Sequence, residues 1–332
     1  MEPSAPTEVA DARTPAVGTT ETELESTYAR LAAACGVRVA SSAVAQDCVL
    51  IRDLRAYANS AFASLDPSSL SVPKSSSVDF VFPGAAYFSV ACGGFWDILA
   101  RHMSVRSSAG ASGGACSSFM LLAGGCDLML IGYLLYARHQ GTSTAMRLFS
   151  GAIQAVRVTS FWEKLYREVL RTDSTWETVR KCGHVAVASR PISLGLFGEG
   201  SRLVAAPTGE YRATGDNYIF SNFLLKEEAV RAYVATGEAT ISGFSSGIRI
   251  LDDAKGFGCE ADTTSWAVPE SFCDGAAAAV RPTDHADFVA YFRTFFDTHG
   301  GDVALCTPAS ITRLYKAGVD VAVSALQSSE RV

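Results

Sequence analysis

The chain has 332 residues, 48% of them hydrophobic, with 28 basic and 34 acidic side chains and a formal net charge of −6. That length holds one large domain or two small ones with a sizeable core, and the composition excludes a disordered or low-complexity protein. An acidic balance with no lysine- or arginine-rich run argues against nucleic acid as a partner, because nothing in it attracts polyphosphate.

The first residues, MEPSAPTEVADARTPAVGTTETE, are acidic and rich in Pro, Ser and Thr. They lack the basic start and apolar run of a signal peptide, so we expect residues 1–20 to be a solvated, disordered tail on a cytoplasmic protein. A helix is expected next, with Thr20 or Thr22 and Glu23 or Glu25 as a capping box and Gly36 as the stop. A second helix fits Asp47–Leu65, where Leu50, Leu54, Tyr57, Ala58, Ala61 and Phe62 recur at helical spacing. Asp66-Pro67-Ser68-Ser69 and the serines at 75–77 then read as a loop. Residues 21–77 thus form an N-terminal helical extension, and the core domain spans 78–332.

Val78–Phe82 (VDFVF) has the pattern of a buried strand, running into Pro83-Gly84-Ala85-Ala86 and a helical segment that ends near His102. Val105–Phe119, VRSSAGASGGACSSF, then gives a strand (Val105–Ala109), a glycine-flanked serine and a helix start near Gly113. The G-x-S-x-G around Ser112 has the form of a nucleophile elbow. A serine hydroxyl is a poor nucleophile at neutral pH, and an enzyme using one must hold it in a tight turn beside a base and backbone N–H donors. In a chain with 28 glycines the same five residues also read as an ordinary turn. The order strand, glycine turn, helix, strand, serine turn, helix predicts a βαβ unit with both turns at the carboxyl ends of parallel strands, where α/β sheets place their ligands.

Phe119–Tyr136 is the most apolar stretch, about the length of a membrane span, but Gly124-Gly125 and Asp127 interrupt it. We expect two buried helices joined at the glycines, with a peripheral membrane contact left open. Asp127–Lys181 is helical by periodicity, and FWEKLYREVLR (161–171) reads as an amphipathic surface helix. Strands are expected at His184–Ser189 and, irregularly, through Tyr211–Phe223, with a helix at Lys226–Thr236. Gly195-Leu196-Phe197-Gly198-Glu199-Gly200 is glycine-rich but lacks a strand and long helix around it, so it is not read as a nucleotide site. After Val268–Val280, a helix (Asp284–Thr298), a strand (Asp302–Cys306) and a helix (Pro308–Leu326) complete the chain. The nine cysteines show no C-x-x-C pair and no histidine at metal-ligand spacing, and are read as reduced, mostly buried thiols.

Val268–Val280 carries Asp274-Gly275-Ala276. Asp-Gly is first a turn signal, but here it stands downstream of Gly84 and the Ser112 elbow. Together these features resemble the patatin-like phospholipase family, over roughly Val78–Val280. That family has a glycine-rich oxyanion turn after the first core strand, a G-x-S-x-G elbow after the next and a distal D-G-G or D-G-A. Tyr233–Phe244, YVATGEATISGF, is similar to the segment that precedes the D-G motif, with Ser242 in place of a proline. The resemblance implies a three-layer α/β/α sandwich with a mostly parallel central sheet. It also implies a lipid acyl hydrolase of phospholipase or lipase type, acting on a lipid or phospholipid acyl ester through a Ser–Asp dyad without histidine, cofactor or metal. Carried over, Ser112 is the nucleophile and Asp274 the base, with backbone N–H groups of Gly84, Ala85, Ala86 and Gly113 as the oxyanion hole. Ala86 and Ser89 stand where the family has further glycines.

Two other readings stay open at this point. One is a patatin-fold protein that is catalytically weak or inactive and binds lipid or a partner. The other is an α/β-hydrolase with a Ser–Asp–His triad, for which His285 or His299 follows Asp274 in the required order. Otherwise those two, with His102 and His139, read as surface or helix-end residues, and His184 as core.

Overall fold

The computed structural model describes residues 20–66, 70, 77–82, 87, 89–140, 155–188, 217–221, 223, 225–238, 260–261, 288–291 and 306–327. The first helix, α1 (Glu21–Cys35), opens on the expected capping box. The Glu23 backbone N–H donates to Thr20 Oγ1 at 3.3 Å, and the Thr20 N–H donates back to the Glu23 carboxylate at 2.9 Å. Gly36 stops the helix at φ 70°, a left-handed conformation that costs glycine nothing. The second helix, α2 (Ser41–Ala63), starts ahead of the expected Asp47, since nothing in Ser41–Gln46 opposes a helix, and it ends just short of Leu65.

The core then alternates. In chain order it comprises β1 (Ser77–Phe82), α3 (Ser89–His102), β2 (Ser104–Ala111), α4 (Ser112–His139), α5 (Ala155–Val169), α6 (Asp173–Cys182) and β3 (Gly183–Ala188). It continues with β4 (Asn217–Ser221), α7 (Lys226–Glu238), β5 (Glu260–Ala261), β6 (Phe288–Tyr291) and α8 (Pro308–Gln327). One six-stranded sheet has the order β5-β4-β3-β2-β1-β6. It is parallel from β6 through β1 and β2 to β3, and antiparallel from β3 through β4 to β5. The fold is therefore α/β, and the segments expected at Val78–Phe82, Val105–Ala109 and His184–Ser189 lie side by side in that sheet.

Phe288–Tyr291 corrects the helix expected over Asp284–Thr298. Val78–Val81 pairs with these four residues in parallel, so the backbone edge of β1 takes them as a strand. A short apolar and aromatic run fits both periods, and an unpaired strand edge decides it.

Side chains of β1 are buried on both faces of the sheet. Phe80 is paired with Ser108 across the ladder, so both point the same way. Phe80 stacks on Trp96 of α3 with ring centroids 4.4 Å apart, and Ser108 accepts a hydrogen bond from Ser118 of α4 at 2.8 Å. Hence α3 and α4 cover one face, as two crossovers running in the same direction require. On the other face lies Asp79, fully buried, which accepts two bonds from Arg106 (3.1 and 2.7 Å) and one from Ser107 (2.5 Å). The β1–β2 register slips between Val78 and Asp79, where Arg106 is the extra residue of β2, and its side chain reaches Asp79.

The apolar stretch within α4 is two helices, as expected. Gly124 (φ −169°, ψ 17°) and Gly125 (φ 72°, ψ −163°) break it. Gly113–His139 is long and apolar enough to cross a membrane, yet 78% of its most apolar window is buried inside the protein. Asp127 beyond the break pairs with Arg55 of α2 at 2.5 Å. The helices α1 and α2 share the main hydrophobic core. Asp47 of α2 is buried, accepting from Tyr28 at 2.5 Å and from both Nε (3.1 Å) and Nη2 (2.8 Å) of Arg138 at the end of α4. In α5 the face Phe161, Trp162, Leu165, Tyr166 and Val169 is buried and Lys164 and Arg167 are exposed, the amphipathic pattern read from the sequence. Seven described cysteines, at 35, 48, 92, 116, 126, 182 and 306, are buried and form no disulfide among the described residues; Cys259 and Cys273 lie outside them.

Candidate functional site

The last residue of β1, Phe82, pairs with Gly110 of β2, and Gly110 and Ala111 also pair with Val185 and Ala186 of β3. Pairing on both sides carries β2 to Gly110 and pairing with β3 carries it on to Ala111, beyond the expected end at Ala109. The helix α4 begins at the next residue, Ser112. The serine sits where strand becomes helix with no intervening turn residue, and Gly113 is in the first helical turn. Such a reversal demands that the strand end lie against the helix start. At Gly110 a Cβ would fall 2.6 Å from Cα and N of Ala115 and 2.7 Å from the carbonyl carbon of Gly114. Only glycine fits there, because the obstructing atoms are backbone. The N–H groups of the first turn of α4 are directed toward the carboxyl edge of the sheet, where a helix N-terminus favours negative charge.

Behind this junction lies a buried hydroxyl cluster that the sequence reading did not single out. Ser117 Oγ donates to the carbonyl of Ser89 at 2.7 Å. Its one proton is thereby used, so at 3.2 Å it accepts from the Tyr133 hydroxyl, which also approaches the Gly113 carbonyl at 3.4 Å. Ser89 Oγ in turn hydrogen-bonds Tyr133 Oη. All three side chains are buried, and burial pushes the Tyr133 hydroxyl well above its ordinary pKa, so it stays protonated. Ser89 is thus the first residue of α3 with its side chain in use, not a vacant glycine position. The signal available for Tyr133 was a phenol inside the mostly apolar Phe119–Tyr136, since a buried hydroxyl needs a partner.

Below the first turns of α4 the walls are aromatic. Phe119 lies 4.3 Å from Tyr166 and 4.9 Å from Tyr233 between ring centroids, and Tyr133 lies 5.4 Å from Trp162. The hydroxyls of Tyr166 and Tyr233 are buried there. Cys116 is buried beside them, and burial pushes its thiol up to about 11, which leaves it a poor nucleophile.

Of the residues expected to form the site, Ser112 and Gly113 lie at the β2–α4 junction. Gly84, Ala85, Ala86 and Asp274 lie outside the described residues, as do His285, His299, Ser242 and the Gly195–Gly200 run. The expected oxyanion turn follows directly from Phe82, the ladder partner of Gly110. His102 ends α3, one of the two positions expected for it, and is buried there. His184 is half-buried as the second residue of β3, rather than core. Among the described residues no three His, Cys, Asp or Glu side chains converge as a metal site. Comparison of the chain with family models, with curated proteins and with solved structures finds no match in any of the three.

Proposed function

We propose that the protein is a serine-dependent carboxylic ester hydrolase of patatin-like type, acting on the acyl ester of a lipid or phospholipid. The observation that carries this reading is the β2–Ser112–α4 junction, with Gly110 against the backbone of Gly114 and Ala115. A strand that passes into a helix at a serine, at the carboxyl edge of a parallel sheet, presents a hydroxyl beside helix N–H groups. An ordinary flexible turn has no need of that backbone contact.

In the proposed reaction Ser112 Oγ attacks the ester carbonyl carbon while its proton passes to the Asp274 carboxylate. The carbonyl oxygen becomes an oxyanion that accepts from the N–H groups of Gly84, Ala85, Ala86 and Gly113, each such donor being worth about 10²–10³ in rate. Collapse breaks the ester C–O bond, and Asp274 returns the proton to the departing alcohol. Water then attacks the acyl-enzyme with Asp274 again as base, releasing the fatty acid and the free serine. The test is incubation with a fluorophosphonate followed by peptide mapping, together with turnover of a short-chain ester. The reading expects the label on Ser112 and a loss of at least about 10³-fold in kcat for Ser112→Ala. A folded protein that neither carries the label nor cleaves the ester would overturn it and leave a binding role for the fold.

A further inference from the structure

We infer that Tyr133 is a positioning residue for Ser112, its hydroxyl holding the backbone of the first turn of α4 on which the serine stands; this rests on the hydrolase reading above. That turn has little to hold it from within. Ser112 is followed by Gly113 and Gly114, each of which costs a helix about 1 kcal/mol relative to alanine, and the first N–H groups of a helix have no carbonyl of their own helix to bond. Glycine also brings no side chain to pack, so contacts that fix the turn must reach its backbone from outside. Gly110 of β2 supplies one, against Gly114 and Ala115. Tyr133 supplies another, its hydroxyl lying 3.4 Å from the Gly113 carbonyl and 3.2 Å from Ser117 Oγ. In an unbroken helix those 20 residues would rise about 30 Å, far beyond any side chain's reach, so the contact exists because the chain breaks at Gly124 and Gly125. The direction of the protons follows from the partners. Ser117 Oγ uses its proton on the Ser89 carbonyl at 2.7 Å, so the phenol proton goes to α4, and Ser89 Oγ donates to Tyr133 Oη. Ser89, the first residue of α3, thereby orients the phenol. Burial keeps that phenol protonated, so the donor is present throughout the neutral range. Tyr133 is itself anchored, with Trp162 edge-on at 5.4 Å and its carbonyl accepting from the Cys306 thiol at 3.5 Å.

The test removes the hydroxyl alone, in Tyr133→Phe, and reads both the turn and the chemistry. Hydrogen exchange is expected to quicken by about 10-fold or more in peptides covering Cys116–Phe119, whose N–H groups bond carbonyls of the first turn, and to stay parental over α8. For a short-chain ester, kcat is expected to fall by about 10- to 100-fold with KM within about two-fold of the parent, since misplacing a reacting group costs rate rather than binding. Ser89→Ala, which removes the donor that orients the phenol, is expected to shift both readouts in the same direction and serves if Tyr133→Phe does not fold. A folded variant with parental kcat, or with parental exchange at Cys116–Phe119, would overturn the positioning role and leave the hydrolase reading intact. Exchange that quickens equally over α8, or a loss carried by KM, would overturn it as well. A parent enzyme with no hydrolysis and no labelling at Ser112 would instead sink the hydrolase reading and this inference with it.

Discussion

Gly110 and Gly132 show how the identity of a neighbouring atom decides what an added methyl costs. A Cβ at Gly132 would meet the methyl end of Met120 at 2.9 Å and Leu165 Cδ2 at 3.3 Å, both on flexible side chains. Replacing a helical glycine by alanine gains about 1 kcal/mol of propensity, so Gly132→Ala is expected to be close to neutral. At Gly110 the obstructing atoms are Cα and N of Ala115 and the carbonyl carbon of Gly114, which move only if the helix start moves. Gly110→Ala is expected to lose about 2 kcal/mol or more, with Tm lower by about 5 °C, and, on the proposed hydrolase reading, to abolish fluorophosphonate labelling of Ser112. Thermal melts of the two variants side by side check the contrast. A Gly110→Ala protein that melts like Gly132→Ala and still takes the label would show that the elbow does not need this contact. At this scale the passage from strand to helix around Gly110 and Ser112 was legible, because a G-x-S-x-G motif is local. The sequence was uninformative about Ser89, Ser117 and Tyr133, whose meaning comes from contacts that span α3 and both halves of α4.

Helices α3 and α8 cross so closely that glycines on both are in contact with the opposite backbone. A Cβ on Gly94 would overlap the Tyr315 carbonyl and lie 2.7 Å from N of Val319, and one on Gly318 would overlap the Ala91 carbonyl and lie 3.0 Å from N of Phe95. The crossing also carries Tyr315 onto the buried Asp97 carboxylate at 2.5 Å, and Asp97 accepts from Arg101 at 2.8 Å. Gly94→Ala and Gly318→Ala are each expected to lose about 2 kcal/mol or more, because overpacking against backbone has no cheap relief. Both act by forcing the same pair of helices apart. The double variant is therefore expected to lose less than the two single losses together, by at least about 0.5 kcal/mol, in urea unfolding. Strict additivity would mean that the helices relax independently at the two sites. The individual elements were legible where they carried a local signal. The capping box and Gly36 delimited α1, the glycine pair split α4, and the buried stripe of α5 followed its spacing. The β6 strand was not legible, since Phe288–Tyr291 satisfies a helical spacing equally well and only the open edge of β1 makes it a strand.

The described core buries several thiols and phenols, groups that can lose a proton. The thiols of Cys48 and Cys116 are pushed up to about 11 and that of Cys35 to about 12, each from an ordinary 9.0 and each mainly by burial. Burial likewise raises the hydroxyls of Tyr28, Tyr133, Tyr136, Tyr166 and Tyr315. The sequence indicated buried thiols from their scatter and from the apolar content. Which of them sit in the core, and how many tyrosines join them, depends on packing that no local pattern encodes. All these groups shift in one direction with a single consequence. The folded protein keeps protons that the unfolded chain gives up, so above the ordinary pKa the unfolded state binds fewer protons and stability falls as pH rises. The contribution is fully present below about pH 9 and is lost as pH climbs toward the folded values near 11 and 12. Each pH unit in that window costs about 1.4 kcal/mol for every fully buried thiol or phenol that titrates only on unfolding. Arg138 beside Asp47 and Arg55 beside Asp97 are both raised above an already high value, so those ion pairs do not offset the loss. In reducing buffer, Tm is expected to stay level from about pH 7 to 8.5 and then to drop steeply between about pH 9 and 11. A melting temperature that holds level to pH 10.5 would mean that these thiols and phenols reach water in the folded state.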